Sequence, residues 1–476
     1  MRRYAKALLL AAALAGCTVG PDYERPTVDS PTGWRIEYLQ SADVANTLWW
    51  RQFDDPVLDE LIEQALRDNP DLRIAAARID QFIGQLRATR SQFYPQIGYG
   101  ADASRNRTSE VGVPALPPGG DPYYSLYNGA LSASWQLDLF GRVRRQSEAV
   151  QAQIYASEQG RRGVVLSLTS AVAAAYVTLL GLDRQLEIAV ATAKNYAGTK
   201  RIFDLRFARG VVSQVQVQQI ESQYQQALAA IPVLELQVAA QENLISTLLG
   251  RNPGPIPRGK RIDVLAVPEI PGALPSSLLE RRPDILQAEQ LLVAANANIG
   301  VAKSLYFPTI SLTGALGVSS AAIGDFLTRD AATWGVAAGL AGPLFTFGAI
   351  EGQVQSAEAA HREALATYQR VVLNAFAETN NALVGTAKTR EEAAAQAERV
   401  AALREYARLS KLKFDNGYAD YLEVLYAENE LFGAELAAVR SKINSYTELI
   451  GVYKATGGGW VDQAAQLAPA PQAGAR

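Results

Sequence analysis

The chain has 476 residues, of which 48% are hydrophobic, and its 45 lysines and arginines nearly balance 48 aspartates and glutamates. This length allows about two to four ordinary domains. The net charge of −3 disfavours nucleic-acid binding, which needs a basic surface. One cysteine, one methionine and one histidine exclude an internal disulfide, a cysteine-based zinc site and a cysteine–histidine nucleophile. We therefore expect no metal site, no cofactor and no enzymatic activity.

The N-terminus has the pattern of an export signal. Cationic residues precede an apolar run at 7–16 that is too short to cross a membrane. The run ends in Leu-Ala-Gly-Cys, which resembles a bacterial lipoprotein signal, so that 1–16 would be removed and Cys17 would carry a covalent lipid such as palmitate. Ordinary secretion is the alternative. Thr18, by analogy with lipoprotein sorting, indicates the outer membrane.

Short motifs recur in the same order along the chain. Pro95 recurs as Pro308, an offset of 213, and Gly210 recurs as Gly417, an offset of 207. The chain is therefore an internal duplication whose halves differ by six residues between Pro95 and Gly141. The predicted divisions are a signal peptide (1–16), an N-terminal periplasmic segment (17–55), a first repeat (56–250), a Pro-rich linker (251–275), a second repeat (276–457) and a C-terminal tail (458–476), disordered over 461–476.

Both halves predict the same order of elements. A helical segment ends at an aromatic–proline pair, because proline disfavours helix in the residue before it. Two β segments follow, and then a helix without proline that is roughly 100 Å long at 1.5 Å per residue. A glycine turn leads into a returning helix. The predicted helices lie at 56–94, 142–208 and 213–250 in the first half and at 276–306, 349–415 and 420–456 in the second.

Alternating apolar and polar residues predict the strands, most clearly over 131–139 and 310–318 and more weakly over 97–103 and 334–344. A soluble sheet with one wet face is one explanation. In an exported lipoprotein, strands of about 9–11 residues also fit a transmembrane barrel. Because the smallest such barrels have about eight strands, a membrane-spanning sheet requires several chains. Three chains would supply twelve strands and twelve helical columns.

One helical segment could itself cross a membrane. Gly163–Leu182 contains no charged residue and is long enough for a transmembrane helix. It contains several hydroxyl side chains, however, and lies within a longer helical pattern. A helix-packing face is therefore the preferred interpretation.

Four short motifs stand in a fixed order, at Cys17–Tyr23, Trp49–Pro56, Arg281–Asp284 and Gly457–Trp460. Together with the duplication, they resemble the TolC superfamily over 17–460, in particular the outer-membrane efflux lipoproteins of the OprM/NodT type. The resemblance implies an α+β membrane protein, a homotrimer in which a twelve-stranded outer-membrane β-barrel continues into a twelve-helix periplasmic α-barrel. It also implies a passive exit duct for drugs, dyes, metals or similar small molecules, supplied by an inner-membrane pump through a periplasmic adaptor.

The resemblance makes the two glycine turns the periplasmic tips, where the adaptor would dock and the duct would close. Three copies of Asp420 would form an acidic ring that favours cations and holds a gate. An ordinary helix N-cap is the alternative role of Asp420. The docking candidates are Arg206, Gly210, Ser213, Lys413 and Gly417, and the gate candidates are Asp420, Asp415, Glu423, Arg404, Tyr406 and Arg408.

Two other functions remain open from the sequence. The first is a protein-secretion duct of the same superfamily, working with a type I exporter. The second is a fibrous or structural helical lipoprotein without a pore.

Overall fold

The computed structural model leaves the predicted N-terminal signal undescribed. The predicted signal peptide (1–16) and Cys17 lie outside the described residues, so the cleavage of 1–16 and the lipidation of Cys17 stay predictions. The described residues are 18–36, 48–111, 117, 119–270, 275–457 and 460–472.

The chain divides into two compact units, each built from three stretches of sequence. We call one the sheet unit and the other the helical unit. The sheet unit comprises Met1–Pro26, Asp80–Ala156 and Glu289–Thr367, and the helical unit comprises Thr27–Ile79, Ser157–Ala288 and Tyr368–Arg476.

The helices repeat in the order that the duplication predicts. The two long helices have the predicted bounds and 67 residues each. Gly210 and Gly417 follow them with φ of 72° and 75°, a left-handed conformation that ends a helix and favours glycine. The helices are α1 (Pro56–Asp68), α2 (Pro70–Ser91), α3 (Arg142–Ala208), α4 (Gln214–Leu248), α5 (Pro275–Arg281), α6 (Pro283–Ser304), α7 (Ala349–Asp415), α8 (Tyr421–Thr456) and α9 (Trp460–Ala465).

The first helical segment of each half is two helices, so the prediction of one helix over 56–94 and one over 276–306 is wrong. Asn69, between α1 and α2, has φ −62° and ψ 130°, an extended conformation. The ring of Pro70 disfavours helix at this position. Pro283 begins α6 in the same way. Pro70 and Pro283 thus separate helices as well, in addition to the prolines of the aromatic–proline pairs.

The strands form one antiparallel sheet in the order β1-β2-β3-β4. The sheet joins the two halves of the duplication, because β2 of the first half pairs with β3 of the second. The predicted strands over 131–139 and 334–344 extend too far, since β2 and β4 end at Leu137 and Ala341. The bounds are Gln96–Arg107 for β1, Tyr123–Leu137 for β2, Thr309–Ser320 for β3 and Ala332–Ala341 for β4.

One helix among the described residues, α3, is long and apolar enough by length and composition to cross a membrane. Its most apolar stretch is 67% buried in the protein. Val172 and Leu179, both within Gly163–Leu182, belong to the hydrophobic core of the helical unit. The interpretation of this segment as a packing face is confirmed.

Aromatic side chains join distant parts of the chain in the helical unit. The Trp49 ring stacks on Tyr453, with ring centroids 4.8 Å apart, and Trp460 meets Trp50 edge to face at 5.6 Å. All three tryptophans are fully buried. The prediction of a disordered tail from residue 461 is wrong over α9, because Trp460 and Val461 are buried in this core. Burial of such large side chains stabilises a helix that its composition alone would not hold.

A buried hydrogen-bond network fixes the start of α1. Asp55 is fully buried, and its Oδ1 accepts a hydrogen bond from the Val57 N–H at 2.9 Å, so Asp55 is the N-cap of α1. Its Oδ2 accepts from the Tyr176 hydroxyl at 3.0 Å and from the Lys260 N–H at 2.9 Å. The same hydroxyl accepts from the Gly259 N–H at 2.8 Å. One phenol therefore connects α1, α3 and the linker.

We expect Tyr176→Phe to lower the free energy of unfolding by about 2 kcal/mol, because the Gly259 N–H and one Asp55 oxygen lose a buried partner. Urea denaturation at fixed protein concentration measures the change. Tyr155→Phe on the same helix is the matched control, since Tyr155 is half exposed. Equal stability of the two variants would contradict a structural role for the Tyr176 hydroxyl.

Candidate functional site: the sheet and the helix tips

The sheet has one apolar face and one polar face. Tyr99, Leu131, Leu316 and Trp334 lie opposite one another across all four strands and share the apolar face. Tyr99 and Trp334 are 90% and 81% exposed. Soluble proteins rarely expose so continuous an apolar surface, whereas lipid-facing strands have this alternation.

The opposite face carries small and polar side chains that bond to one another. Asp102, Asn128 and Ser319 lie opposite one another on β1, β2 and β3. The Asn128 side-chain Nδ2 donates to Asp102 Oδ2 at 3.1 Å, and the Ser319 hydroxyl donates to Asn128 Oδ1 at 2.8 Å. A sheet with this pair of faces can separate lipid from water.

The outer strands of the sheet have open edges. Within the described residues, β1 pairs only with β2, and β4 pairs only with β3. Strands of 12 and 10 residues therefore leave one row of backbone groups each without a strand partner. Long open edges of this kind are sites for pairing with another chain.

The two tips of the helical unit are built alike, although one begins its returning helix with serine and the other with aspartate. In the first tip, the Ser213 hydroxyl accepts from the Gln216 N–H at 3.3 Å, and Gln216 Oε1 accepts from the Ser213 N–H at 3.0 Å. This reciprocal pair is a capping box. In the second tip, Asp420 caps α8 by accepting from the Leu422 N–H at 2.8 Å. The N-cap role of Asp420 is thus confirmed.

Aromatic side chains, which the sequence analysis missed, hold the two tips together. The Tyr421 ring lies 4.5 Å from Phe203 and 5.0 Å from Phe414, measured between centroids. The Arg206 guanidinium lies 5.7 Å from the centroids of both phenylalanine rings. Arg206 therefore makes cation–π contacts inside the tip pair. The sequence has a basic residue beside a phenylalanine at 206–207 and again at 413–414, and this repeated pair is the signal from which aromatic packing at the tips could have been predicted.

A hydrogen bond also connects the two tips directly. The Gln216 Nε2 donates to Asp420 Oδ2 at 3.3 Å, between residues 204 positions apart in the chain. Gln216 thus uses its oxygen for the capping box of α4 and its nitrogen for the carboxylate that caps α8. The sequence analysis missed this contact, although Ser213-x-x-Gln216 is a recognisable capping-box pattern.

Four of the other predicted gate residues have ion-pair partners on their own chain, and none of these ion pairs includes Asp420. Their side chains are mostly exposed, and exposed pairs contribute little stability. Tyr406, the remaining predicted gate residue, lies on α7, and its side chain is 36% exposed. The pairs are Arg404–Glu435 at 2.7 Å, Arg408–Glu405 at 2.7 Å, Asp415–Lys411 at 3.1 Å and Glu423–Lys413 at 3.1 Å.

Residues 61–251 and 274–458 match the sequence pattern of the outer membrane efflux protein family. The chain belongs to this family. The two matched stretches begin 274 − 61 = 213 residues apart and end 458 − 251 = 207 residues apart. These are the two offsets of the duplication, so the family pattern and the internal repeat describe the same unit.

Similar proteins span nearly the whole efflux protein. It is 33% identical over 463 residues to the toluene efflux pump outer membrane protein TtgC of Pseudomonas putida, with 95% of each chain covered. It is 30% identical over 457 residues to the cation efflux system protein CusC of Escherichia coli, covering 95% of this chain and 97% of that one. The open state of the MtrE outer membrane channel of Neisseria gonorrhoeae matches with a TM-score of 0.84, 30% identity and coverage of 93% and 99%.

These relationships identify the efflux protein as an outer-membrane exit duct. The family is one of transport ducts rather than of enzymes. The expected outer-membrane efflux function, drawn from the resemblance of four motifs and the repeat, is confirmed.

The helical unit contains a cleft of about 420 Å³ that is lined by a carboxyl group. Glu428 lines this cleft with Tyr196, Arg408 and Lys411. Burial raises the pKa of the Glu428 carboxyl, and the nearby Lys411 ammonium opposes the rise. Ionisation of Glu428 is therefore harder in the folded protein than in the unfolded chain, so the contribution of Glu428 to stability is fully present below the ordinary glutamate pKa of about 4.3 and is lost as the pH rises through the raised value.

We expect Glu428→Gln to raise the melting temperature at pH 7 by a few degrees and to remove part of the stability loss above pH 4, because the neutral amide needs no ionisation. Thermal unfolding between pH 4 and 8 measures both effects. Glu430→Gln is the control on the same helix, since Glu430 accepts a hydrogen bond from Arg399 at 3.3 Å. A pH profile that is the same for both variants would contradict the assignment to Glu428.

Proposed function

We propose that three copies of the chain form the exit duct of a tripartite efflux system, which receives small molecules from an inner-membrane pump through a periplasmic adaptor. The observation that carries the proposal is the two-faced sheet with two open edges. In hydrocarbon, every backbone N–H and C=O group must be paired within protein, so a sheet there has to close. Four strands per chain cannot close alone, and three copies supply twelve.

The helices support the same number of copies. Two unbroken helices of 67 residues and the shorter helices of each half give four helical columns per chain. Three copies would supply the columns of a twelve-helix barrel. We propose that this barrel lies in the periplasm, with its tips at Gly210 and Gly417 facing the adaptor.

The duct works passively, without a cofactor and without chemistry of its own. Its similar proteins are named for efflux of cargoes as different as toluene and cations. A wide duct makes few specific contacts with such cargo. We therefore assign the choice of substrate to the pump.

Asp420 is the proposed gate residue. Three carboxylates around a narrow opening would favour cations. Within one chain, the Asp420 side chain already caps α8 and accepts from Gln216. The charge of Asp420 and its hydrogen bonds can be separated by mutation, because asparagine is also a good N-cap.

In planar bilayers, we expect Asp420→Asn and Asp420→Ala to weaken cation preference, and Asp420→Ala to give a several-fold higher conductance as well, because it removes the cap and the cross-tip bond. Gln216→Ala should raise conductance while leaving cation preference unchanged. Unchanged selectivity in Asp420→Asn would remove the charge role. A duct that conducts no ions even as Asp420→Ala would overturn the proposed function.

The lipid on Cys17 is part of the proposal, and the described N-terminal residues support it. The Val19 N–H donates to the Phe140 carbonyl at 3.2 Å, immediately after β2. Arg145 is buried and donates to Asp22 at 2.7 Å, and the Asn296 amide donates to the Pro21 carbonyl at 3.0 Å. The start of the described chain is therefore fixed beside one end of the sheet, where an acyl chain could enter the same lipid as the apolar face.

We expect the mature protein to incorporate labelled palmitate and Cys17→Ala to incorporate none, because this is the only cysteine in the chain. The variant should also keep its signal peptide, and intact mass measurement would show the extra residues. Detection of an unmodified Cys17 thiol in most of the mature wild-type protein would contradict lipidation.

A further inference from the structure

The apolar face of the sheet has a definite height. On β2 it comprises every second residue from Leu137 to Tyr127, which are ten positions apart. At about 3.4 Å per residue and a strand tilt of about 40°, these positions correspond to a height of roughly 26 Å. The apolar band of an outer-membrane barrel is about 25 Å tall. The face therefore has the height of a hydrocarbon layer and ends near Tyr127.

Two arginines continue the same face of the sheet beyond Tyr127. Arg105 lies opposite Ser125, and Arg107 lies opposite Tyr123. Both arginines occupy odd-numbered positions of β1, the positions that form the apolar face, and both are exposed. A lipid-facing arginine is costly in the middle of a bilayer and far less so at its surface. The pair is therefore placed at the level of the lipid headgroups.

This end of the sheet is the one opposite to the start of α3. β2 ends at Leu137 and leads into α3, which begins at Arg142. In the proposed duct the long helices lie in the periplasm, so the Leu137 end of the sheet faces the periplasm. The arginines lie at the other end, where the connection over 108–122 joins β1 to β2. The headgroups beside them are those of the outer leaflet.

One tyrosine ring lies close to both guanidinium groups. The centroid of the Tyr123 ring is 5.9 Å from Arg105 Cζ and 5.7 Å from Arg107 Cζ, within the range of cation–π contacts. Arg105 also donates from Nη1 to Ser125 Oγ at 3.2 Å. Residues two positions apart on a strand have Cα atoms about 7 Å apart, so both guanidinium groups can donate to one phosphate group.

Two carboxylates near the arginines leave the pair available to an anion. Glu110 Oε1 accepts from Arg107 Nη2 at 2.7 Å, and both side chains are mostly exposed. Exposed pairs contribute little stability, so a phosphate, which arginine binds through parallel hydrogen bonds, can replace this carboxylate. Asp121 accepts from the backbone N–H of Tyr123 at 2.9 Å. Among the described residues, Arg105 has no carboxylate partner.

The loop between β3 and β4 adds apolar groups at the same end of the sheet. The Phe326 ring lies over Gly129 on the apolar face, since its Cζ is 3.0 Å from the position that a Cβ of residue 129 would occupy. Ile323 and Leu327 of this loop are 67% and 88% exposed. Exposed apolar side chains beside a cationic pair fit contact with lipid better than contact with water.

We propose that Arg105 and Arg107 bind the phosphate groups of a phosphorylated lipid in the outer leaflet, while the apolar face beside them contacts its acyl chains. The inference rests on the proposed membrane-spanning sheet and not on the gate. The lipid fits both halves of the surface, because its headgroup is anionic and its chains are apolar.

The duplication provides an internal comparison for this site. Adding 213 to the bounds of β1, 96–107, gives 309–320, which are the bounds of β3. The counterparts of the two arginines are therefore Val318 and Ser320, neither of which is charged. The fold of the repeat does not require the arginines, and the site occurs once in each chain.

Native mass spectrometry of the full chain in detergent tests the site, because it gives both the number of bound lipids and the mass of the assembly. The probes are lipid A with two phosphates and the same lipid after removal of its phosphates. The variants are Arg105→Gln with Arg107→Gln, and Glu110→Gln. Arg142→Gln is the matched control, since it removes an exposed arginine at the other end of the sheet.

We expect the wild type to bind one phosphorylated lipid per chain, and the double variant to bind at least five-fold less. The wild type should bind the dephosphorylated lipid as weakly as the double variant binds the phosphorylated one. Arg142→Gln should bind like the wild type. Glu110→Gln should bind about two-fold more, because the phosphate no longer competes with a carboxylate, and a gain of this kind cannot come from misfolding.

Three results would overturn the proposal. The first is equal binding of the two lipids by the wild type, or unchanged binding in the double variant. The second is displacement of the lipid by inorganic phosphate at the same concentration, which would assign the pair to free anions. The third is a lower assembly mass of the double variant, which would assign the arginines to contact between copies. Conductance does not enter this assay, so phosphate-dependent binding by a non-conducting protein would contradict the duct and support the lipid site.

Discussion

A backbone N–H or C=O group in the hydrocarbon of a bilayer must find its partner in protein, because no water is available there. In the proposed duct, that constraint falls on a sheet of only four strands, with an apolar face that runs through Tyr99 and Trp334. The outer sides of β1 and β4 carry rows of backbone groups that have no strand partner within the described residues. The proposal of an oligomeric duct rests on these two open edges.

At the tips, residues that hold the helix ends are also those proposed to control passage. Asp420 caps α8 and accepts from Gln216, and Arg206 lies against the rings of Phe203 and Phe414. The predictions that these residues cap helices or act at a gate are therefore not exclusive. In the proposed gate, opening of the tips would break these same local bonds, so that a change in capping would also change the aperture.

The sequence by itself determined the duplication, the bounds of both long helices, the approximate strands and the family. The helix bounds and the strands are local features, since glycine turns, the absence of proline and alternation of apolar residues act within a few positions. Proline acts just as locally at Asn69–Pro70, where the helix breaks.

Only the tertiary structure decided which side chains meet across long separations. The hydrogen bond between Gln216 and Asp420 joins residues 204 positions apart. Burial of Trp460 stabilises a helix in a segment whose composition predicts disorder. No local pattern encodes such contacts, because they depend on how helices from both halves pack in space. The sheet shows the same division: alternation indicated two faces for each strand, but only the register aligned the apolar residues of all four strands into one surface.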